Sequence, residues 1–234
     1  NIRPSFSDWD IIFSRFNAFV NQIDVVIEKC KEQALIMDKD DLLKLCSELA
    51  KFIGKHRKFA HSDWSTSEVT ISKIEELYYD ILPDTPLKYV HYFDYHFYGL
   101  HPIVYKEKEY NFSAEREQLK KFQLEKIRET LSQYGPEAIF MMLPKIENAS
   151  SFAEIVTEEV LSNHFVWDFI QQVQKVSPNA ASSIVAKVYF HRGLVEFISK
   201  VPELPAKDAG WILTCLPLTE ELFDFVKTLS NDTQ

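Results

Sequence analysis

The sequence predicts an all-α protein, and two observations lead to this prediction. Apolar residues recur at helical spacing along most of the 234-residue chain. In the second half, a pair of helical patterns repeats every 28 residues. We therefore expect an N-terminal helical bundle over residues 1–98, a connector over 99–112, and an α/α solenoid of helical hairpins over 113–234.

Five helices are predicted before the connector, each marked by a cap, a breaker or an apolar stripe. They begin after Ser7, at Val25, at the acidic cluster Asp38–Asp41, after Ser65 or Thr66, and at Pro86. Acids at the start of the third helix suit the positive end of its dipole. Pro83 ends the fourth helix, and Pro86 at the first helical position opens a short aromatic one.

The helical pattern stops after Gly99. Residues 101–112 alternate without helical period and include Pro102, which predicts an extended connector or a weak strand. Ser113 then caps a long helix that runs to about Tyr134, and Gly135 lies where a left-handed residue commonly ends a helix. Pro136 opens a further short helix.

Three eight-residue stretches define the repeat: VWDFIQQV, LVEFISKV and LFDFVKTL, which begin at Val166, Leu194 and Leu222. Their apolar residues fall at i, i+3, i+4 and i+7, which is one face of a helix. The third position is acidic in every copy. The preceding helix aligns at the same offset, with alanine in one column at Ala153, Ala181 and Ala209. Helix pairs with a period of this length predict an α-solenoid.

Composition excludes several classes of protein. The five glycines are too scattered for a Gly-rich phosphate loop, so we expect no nucleotide cofactor bound in that way, and we expect no other cofactor. A net charge of −9 disfavours nucleic acid and anionic membranes as partners, and no apolar run is long enough to span a membrane. The three cysteines form no Cys-x-x-Cys pair, which favours a reducing, cytoplasmic location.

Two clusters offer alternative functions. His91, Asp94 and His96 could form the site of an all-α metal-dependent enzyme, although an i, i+5 histidine pair departs from the usual helical metal spacing. The segment Lys55–Lys58, with Phe59 or Trp64 as a stacking platform, could contact RNA.

Aromatic residues supply the candidate interaction surface. We select six of them, on the ground that large aromatic side chains dominate binding hot spots. They are Trp64, Tyr92, Tyr95, Tyr98, Trp167 and Trp211. Whether the aromatic cluster at 89–98 is core or an exposed groove stays open at this point.

Three stretches, KHRKFAHSDW from Lys55, IEELYYDILPDTP from Ile74 and ILTCLPLTEELFDFV from Ile212, carry a resemblance. The chain resembles the helical-repeat region of large, poorly characterised bacterial multidomain proteins of the antiviral-defence or signalling type. The resemblance implies a helical-repeat module that accompanies an enzymatic module elsewhere in the chain. It implies no catalytic residue here.

The function we expect is therefore non-catalytic. The chain is interpreted as a protein–protein interaction, scaffold or sensor region that presents a helical-repeat surface to a protein or peptide. Its last repeat carries Trp211, Phe223 and Phe225 rather than a polar outer face, which predicts continuity with further domains of a longer protein. The metal-dependent enzyme and the RNA-binding helical repeat are the alternatives.

Overall fold

The computed structural model describes residues 23–94, 97–104, 110–161 and 166–231. Helices form the secondary structure of this part of the chain, and no strand occurs in it, in agreement with the predicted all-α class. The helix predicted after Ser7 lies outside the described residues. The chain divides into two compact units, residues 1–142 (unit 1) and 143–234 (unit 2). The predicted connector at 99–112 thus lies inside unit 1.

Unit 1 consists of five α-helices and one long 3-10 helix among the described residues. They are α1 (Ile23–Ala34), α2 (Lys39–Lys58), α3 (Glu68–Ile81), the 3-10 helix Pro86–Phe93, α4 (Phe112–Tyr134) and α5 (Glu137–Met142). Helix α3 packs against α1 and α2, and the 3-10 helix packs against α2, α4 and α5. Helix α4, which follows the predicted connector, packs against the 3-10 helix, and so does α2.

The helix caps were predicted in part. Helix α2 begins within the predicted acidic cluster, and Asp38 caps it: its side chain accepts a hydrogen bond from the backbone N–H of Asp41 at 2.9 Å. Helix α3 is capped by Ser67 rather than by Ser65 or Thr66. Helix α4 is capped by Asn111 rather than by Ser113. Both errors are small shifts, because several cap-forming residues are adjacent in each stretch and tertiary contacts select among them.

Helix α2 approaches the connector closely at Gly54. A Cβ atom placed there would lie 2.5 Å from the carbonyl oxygen of Gly99 and 3.2 Å from Cβ of Tyr98. Gly99 itself has φ of 83°, a left-handed conformation that favours glycine. The absence of a side chain at Gly54 therefore lets residues 98–99 lie directly on α2.

The described residues of unit 2 form three pairs of α-helices and two short 3-10 segments. They are the 3-10 helix Leu143–Lys145, α6 (Ala149–Leu161), α7 (Val166–Val176), α8 (Pro178–Arg192), α9 (Leu194–Lys200), the 3-10 helix Val201–Glu203, α10 (Ala206–Thr214) and α11 (Glu220–Asn231). Helix α8 packs against α6, α7 and α9, while α9 and α10 both contact the segment Val201–Glu203. Gly193, with φ of 72°, adopts the left-handed turn between α8 and α9 that its position predicts.

Burial in unit 2 follows the predicted apolar stripe in most columns. Phe169, Phe197 and Phe225 are buried in α7, α9 and α11, and so are Val166, Leu194 and Leu222. One column departs from the stripe: Ile170 is fully buried, whereas Ile198 is 44% exposed and Val226 is 39% exposed. The second and third pairs therefore leave uncovered a position that the first pair buries.

Among the described residues, no helix combines the length and the apolar character that crossing a membrane requires.

Candidate functional site

His91, one of the two histidines of the proposed metal site, belongs to the core of unit 1. His91 is buried, and its Nε2 lies 2.7 Å from the hydroxyl of Tyr78, which in turn lies 2.8 Å from the hydroxyl of Tyr92. Burial, with a smaller contribution from the charge of Lys51, lowers the pKa of His91 to about 3. His91 is therefore a neutral, hydrogen-bonded core residue at physiological pH.

Asp94, at the C-terminal cap of the 3-10 helix, binds partners of α2. Its Oδ2 accepts a hydrogen bond from Ser47 Oγ at 2.8 Å and lies 3.5 Å from Lys51 Nζ. In the described part of the chain, no three His, Cys, Asp or Glu side chains are grouped to hold a metal ion. His96 lies outside the described residues. The structure thus brings no ligand set together from His91 and Asp94.

The basic segment Lys55–Lys58, the proposed RNA contact, mainly forms contacts inside unit 1. Arg57 is buried and donates from Nε and Nη2 to Glu68 Oε1 at 3.0 and 2.8 Å. It also donates to both carboxylate oxygens of Glu75 and, at 2.8 Å, to the carbonyl oxygen of Leu100. Burial acts to lower the pKa of Arg57, but the hydrogen bonds and charges of Glu75 and Glu68 outweigh it and raise the pKa.

Two neighbours of Arg57 are also used inside unit 1. Lys58 forms an ion pair of 2.8 Å with Glu115 and donates to the hydroxyl of Tyr110 at 2.9 Å. His56 is buried, and its Nδ1 accepts a hydrogen bond from the backbone N–H of Thr66 at 2.9 Å. Since these side chains bind partners from α3, α4 and the loops, the stretch offers little free positive charge to a phosphate backbone.

The aromatic residues predicted at the surface of unit 1 differ in exposure. Trp64 is half exposed and its ring lies 5.6 Å from that of Phe59, which lies 6.5 Å from the ring of Tyr98. Tyr92, by contrast, is only 3% exposed, so its assignment to the surface is wrong. Its hydroxyl reaches Tyr78, which places it in the core beside His91. Tyr95 lies outside the described residues.

A small cleft opens beside Tyr98. Its volume is about 150 Å³, and its lining comes from residues 98–102 and from α4, through Glu115, Gln118, Leu119 and Phe122. Glu115 is already paired with Lys58, and Gln118 Nε2 lies 3.4 Å from the carbonyl oxygen of His101. Both polar side chains of the cleft, Glu115 and Gln118, therefore already have partners within unit 1. The cleft is also smaller than the cavities that usually bind a cofactor.

The tryptophans of unit 2 are half-buried. Trp167 on α7 places its ring 5.2 Å from Phe197, and its Nε1 donates to Glu196 Oε1 at 3.3 Å. Helices α7 and α9 therefore touch through this side chain. Trp211 lies on α10 and is also half-buried. Part of each tryptophan side chain is therefore buried within unit 2.

The six aromatic residues selected from the sequence omit a set of exposed apolar side chains in unit 2. The set consists of Phe190, Val195, Ile198, Leu218, Phe223 and Val226, which we call the apolar face. Its members are between 39% and 82% exposed. They form three pairs separated by 28 residues: Phe190 with Leu218, Val195 with Phe223, and Ile198 with Val226. Large exposed apolar side chains at repeated positions are candidates for an interaction site.

The sequence does contain the signal for this surface. The predicted stripe accounts for the positions i, i+3, i+4 and i+7, but Val195 and Phe223 are apolar residues one position after the start of each stretch, outside the stripe. An apolar residue outside the apolar stripe of an amphipathic helix is expected to face solvent. The equivalent residue of the first pair, Trp167, is half-buried.

Comparison with known protein families, with curated proteins and with solved structures found no match for this chain.

Proposed function

We propose that the chain is a non-catalytic interaction or scaffold region that binds a protein or peptide through the apolar face of unit 2. The observation that carries the proposal is the exposure of large apolar side chains at equivalent positions in two successive helix pairs. An isolated exposed leucine or valine needs no explanation. Two matching sets of three, including two phenylalanines, favour a surface that a partner covers.

The internal packing of unit 2 supports a repeat architecture for this surface. The first helices of the three pairs begin at Ala149, Pro178 and Ala206, and the second helices begin at Val166, Leu194 and Glu220, close to the 28-residue spacing. Ala153 and Ala181, which share a column, are both buried, and their helices α6 and α8 pack together. We propose that unit 2 is a short α-solenoid, an architecture that presents its repeated positions along one extended surface.

Unit 1 supports the non-catalytic part of the proposal. The ionisable groups that looked most like a site, His91, Asp94 and Arg57, all bind partners of their own unit. Such contacts fix helices and loops relative to each other. We propose that unit 1 is a structural unit, and that any enzymatic module associated with this chain lies outside it.

A peptide-library selection tests the proposal. The whole chain is used to select binders from a random peptide library displayed on phage, and each binder is then assayed against three proteins. These are the unaltered chain, the double variant Val195→Ser/Phe223→Ser, and the control Phe112→Ser. Phe112 is 76% exposed in unit 1, so the control removes a similar apolar side chain from elsewhere.

We expect the selected peptides to bind the unaltered chain and the control, and to lose binding to the double variant. Circular dichroism checks that the double variant retains its helical content. A selection that yields no peptide, or peptides that bind all three proteins equally, would refute the proposed function.

A further inference from the structure

We propose that the partner of the apolar face is a basic amphipathic helix of another protein. This inference rests on the proposed function and specifies the chemistry of the partner. Two features support it: the arrangement of the apolar side chains on α9 and α11, and the charges that border them.

The apolar side chains suit a partner helix. Val195 and Ile198 are three residues apart on α9, and Phe223 and Val226 are three residues apart on α11, so each pair lies on one side of its helix. Such pairs form the short ridges between which another helix packs. An extended peptide usually binds by adding a strand to a sheet edge, and the described residues contain no strand.

On α11, the charges that border the apolar face are mostly acidic. Helix α11 carries Glu220, Glu221 and Asp224 against one base, Lys227, which lies 3.0 Å from Asp224. Glu220 and Glu221 are exposed and form no ion pair with any residue that the structure describes. Acids in the first turn also favour the helix itself. Glu220 and Glu221 also place negative charge beside Phe223, so a partner that contacts Phe223 should carry positive charge there.

The same border recurs at the other helices of the repeat. The residue that follows Trp167, Val195 and Phe223 is acidic each time, as Asp168, Glu196 and Asp224. Glu196 is partly neutralised, since Arg192 Nη1 lies 3.0 Å from its Oε1. Asp168 and Asp224 are exposed. An acidic residue beside the apolar position is thus a regular property of this surface.

These charges discriminate among occupants. A second copy of the chain that packed its α11 against α11 of the first copy would bring Glu220, Glu221 and Asp224 of both copies together, which is unfavourable. Nucleic acid and anionic lipid are disfavoured for the same reason. A helix with one apolar side flanked by Lys or Arg satisfies both the apolar and the acidic parts of the surface.

Two synthetic peptides test this inference on the whole chain. One is a fluorescein-labelled amphipathic helix built only of leucine and lysine, and the other has glutamate at every lysine position. Fluorescence anisotropy measures the binding of each to the unaltered chain and to the variants Phe223→Ser and Glu220→Gln/Glu221→Gln. The controls, Phe112→Ser and Glu117→Gln, remove an exposed apolar and an exposed acidic side chain of α4.

We expect only the lysine peptide to bind. Phe223→Ser should weaken its binding by about 10-fold or more, as loss of a central aromatic contact commonly does. Glu220→Gln/Glu221→Gln should weaken it by about 3-fold to 10-fold and reduce its salt dependence. Both controls should leave the dissociation constant within about 2-fold of the original value.

Three results would overturn the inference. They are equal weakening by the control variants, binding that no unit 2 variant changes, and no binding of the lysine peptide. If instead the glutamate peptide binds, and Phe223→Ser weakens it, the apolar face is a docking site but its partner is not basic. The proposed function would then stand while this inference fails.

Discussion

Arg57 and Glu75 face each other through two hydrogen bonds, from Nη1 to Oε1 at 3.0 Å and from Nη2 to Oε2 at 2.7 Å. Both side chains are largely shielded from water. The pair joins α2 to α3, and the bond from Arg57 to the carbonyl oxygen of Leu100 adds the connector. A two-point contact of this kind fixes orientation as well as distance.

Replacement of Arg57 by alanine should destabilise unit 1 strongly. The change leaves the buried carboxylate of Glu75 without its main partner, which typically costs about 3–5 kcal/mol. Urea unfolding, followed by circular dichroism, measures the change in the free energy of unfolding. The control is Lys121→Ala, which removes the exposed i, i+4 ion pair with Glu117 and should cost less than about 0.5 kcal/mol. Similar losses of unfolding free energy in the two variants would show that the Arg57 cluster does not stabilise unit 1.

His91 should make the stability of unit 1 depend on pH. Burial and the charge of Lys51 lower its pKa to about 3 from an ordinary value of 6.5. The native state therefore binds fewer protons at His91 than the unfolded state does between these two values. Stability is fully present above about pH 6.5 and is lost as the pH falls through this window, by up to about 1.4 kcal/mol per pH unit.

The variant His91→Gln isolates this contribution. Between pH 7 and pH 5, the unaltered chain should lose about 2 kcal/mol more stability than the variant, because glutamine does not titrate. Urea unfolding at both pH values provides the comparison. An identical pH dependence in the two proteins would mean that His91 is protonated in the native state, contrary to its burial beside Tyr78.

Gly54→Ala should destabilise unit 1, although alanine is the better helix former. In an open helix the change would gain about 1 kcal/mol. At this position the new Cβ would meet the carbonyl oxygen of Gly99 at 2.5 Å, so the backbone must shift. We expect a net loss of about 1–3 kcal/mol, in the range of other overpacking changes.

Gly210→Ala is the matched control for this prediction. Gly210 also lies within a helix, α10, and a Cβ placed there meets nothing within 4 Å. This variant should therefore be neutral or stabilising by up to about 1 kcal/mol. Thermal unfolding of both variants gives the two signs directly. A stabilising effect of Gly54→Ala would contradict the close approach of α2 to residues 98–99.

The comparison of sequence and structure separates local from long-range determinants. The left-handed residue Gly135 at the end of α4 was predicted correctly, because a helix-ending turn depends on a few neighbouring residues. The role of Arg57 was not predicted. Its partners Glu68, Glu75 and Leu100 are far away in the sequence, and nothing local distinguishes a buried arginine from a solvated one.

The same distinction applies to the candidate surface. Tyr92 was placed at the surface because it lies in an aromatic stretch, but its contacts with Tyr78 and with Phe122 of α4 bury it. Phe223 could have been recognised as exposed from its position outside the buried stripe. The exposure of Ile198 and Val226 could not, since Ile170 occupies the same column and is buried. That difference depends on what each helix packs against.

The central claim is that a partner covers the apolar face of unit 2. Site-specific photo-crosslinking tests it most directly, with a photoreactive phenylalanine analogue placed at position 223 or, as the control, at position 112. A peptide selected from the library is added, and the yield of crosslinked product is measured by mass spectrometry. The account predicts efficient crosslinking from position 223 and background levels from position 112. Crosslinking from position 112 alone, or equal yields from both positions, would contradict it.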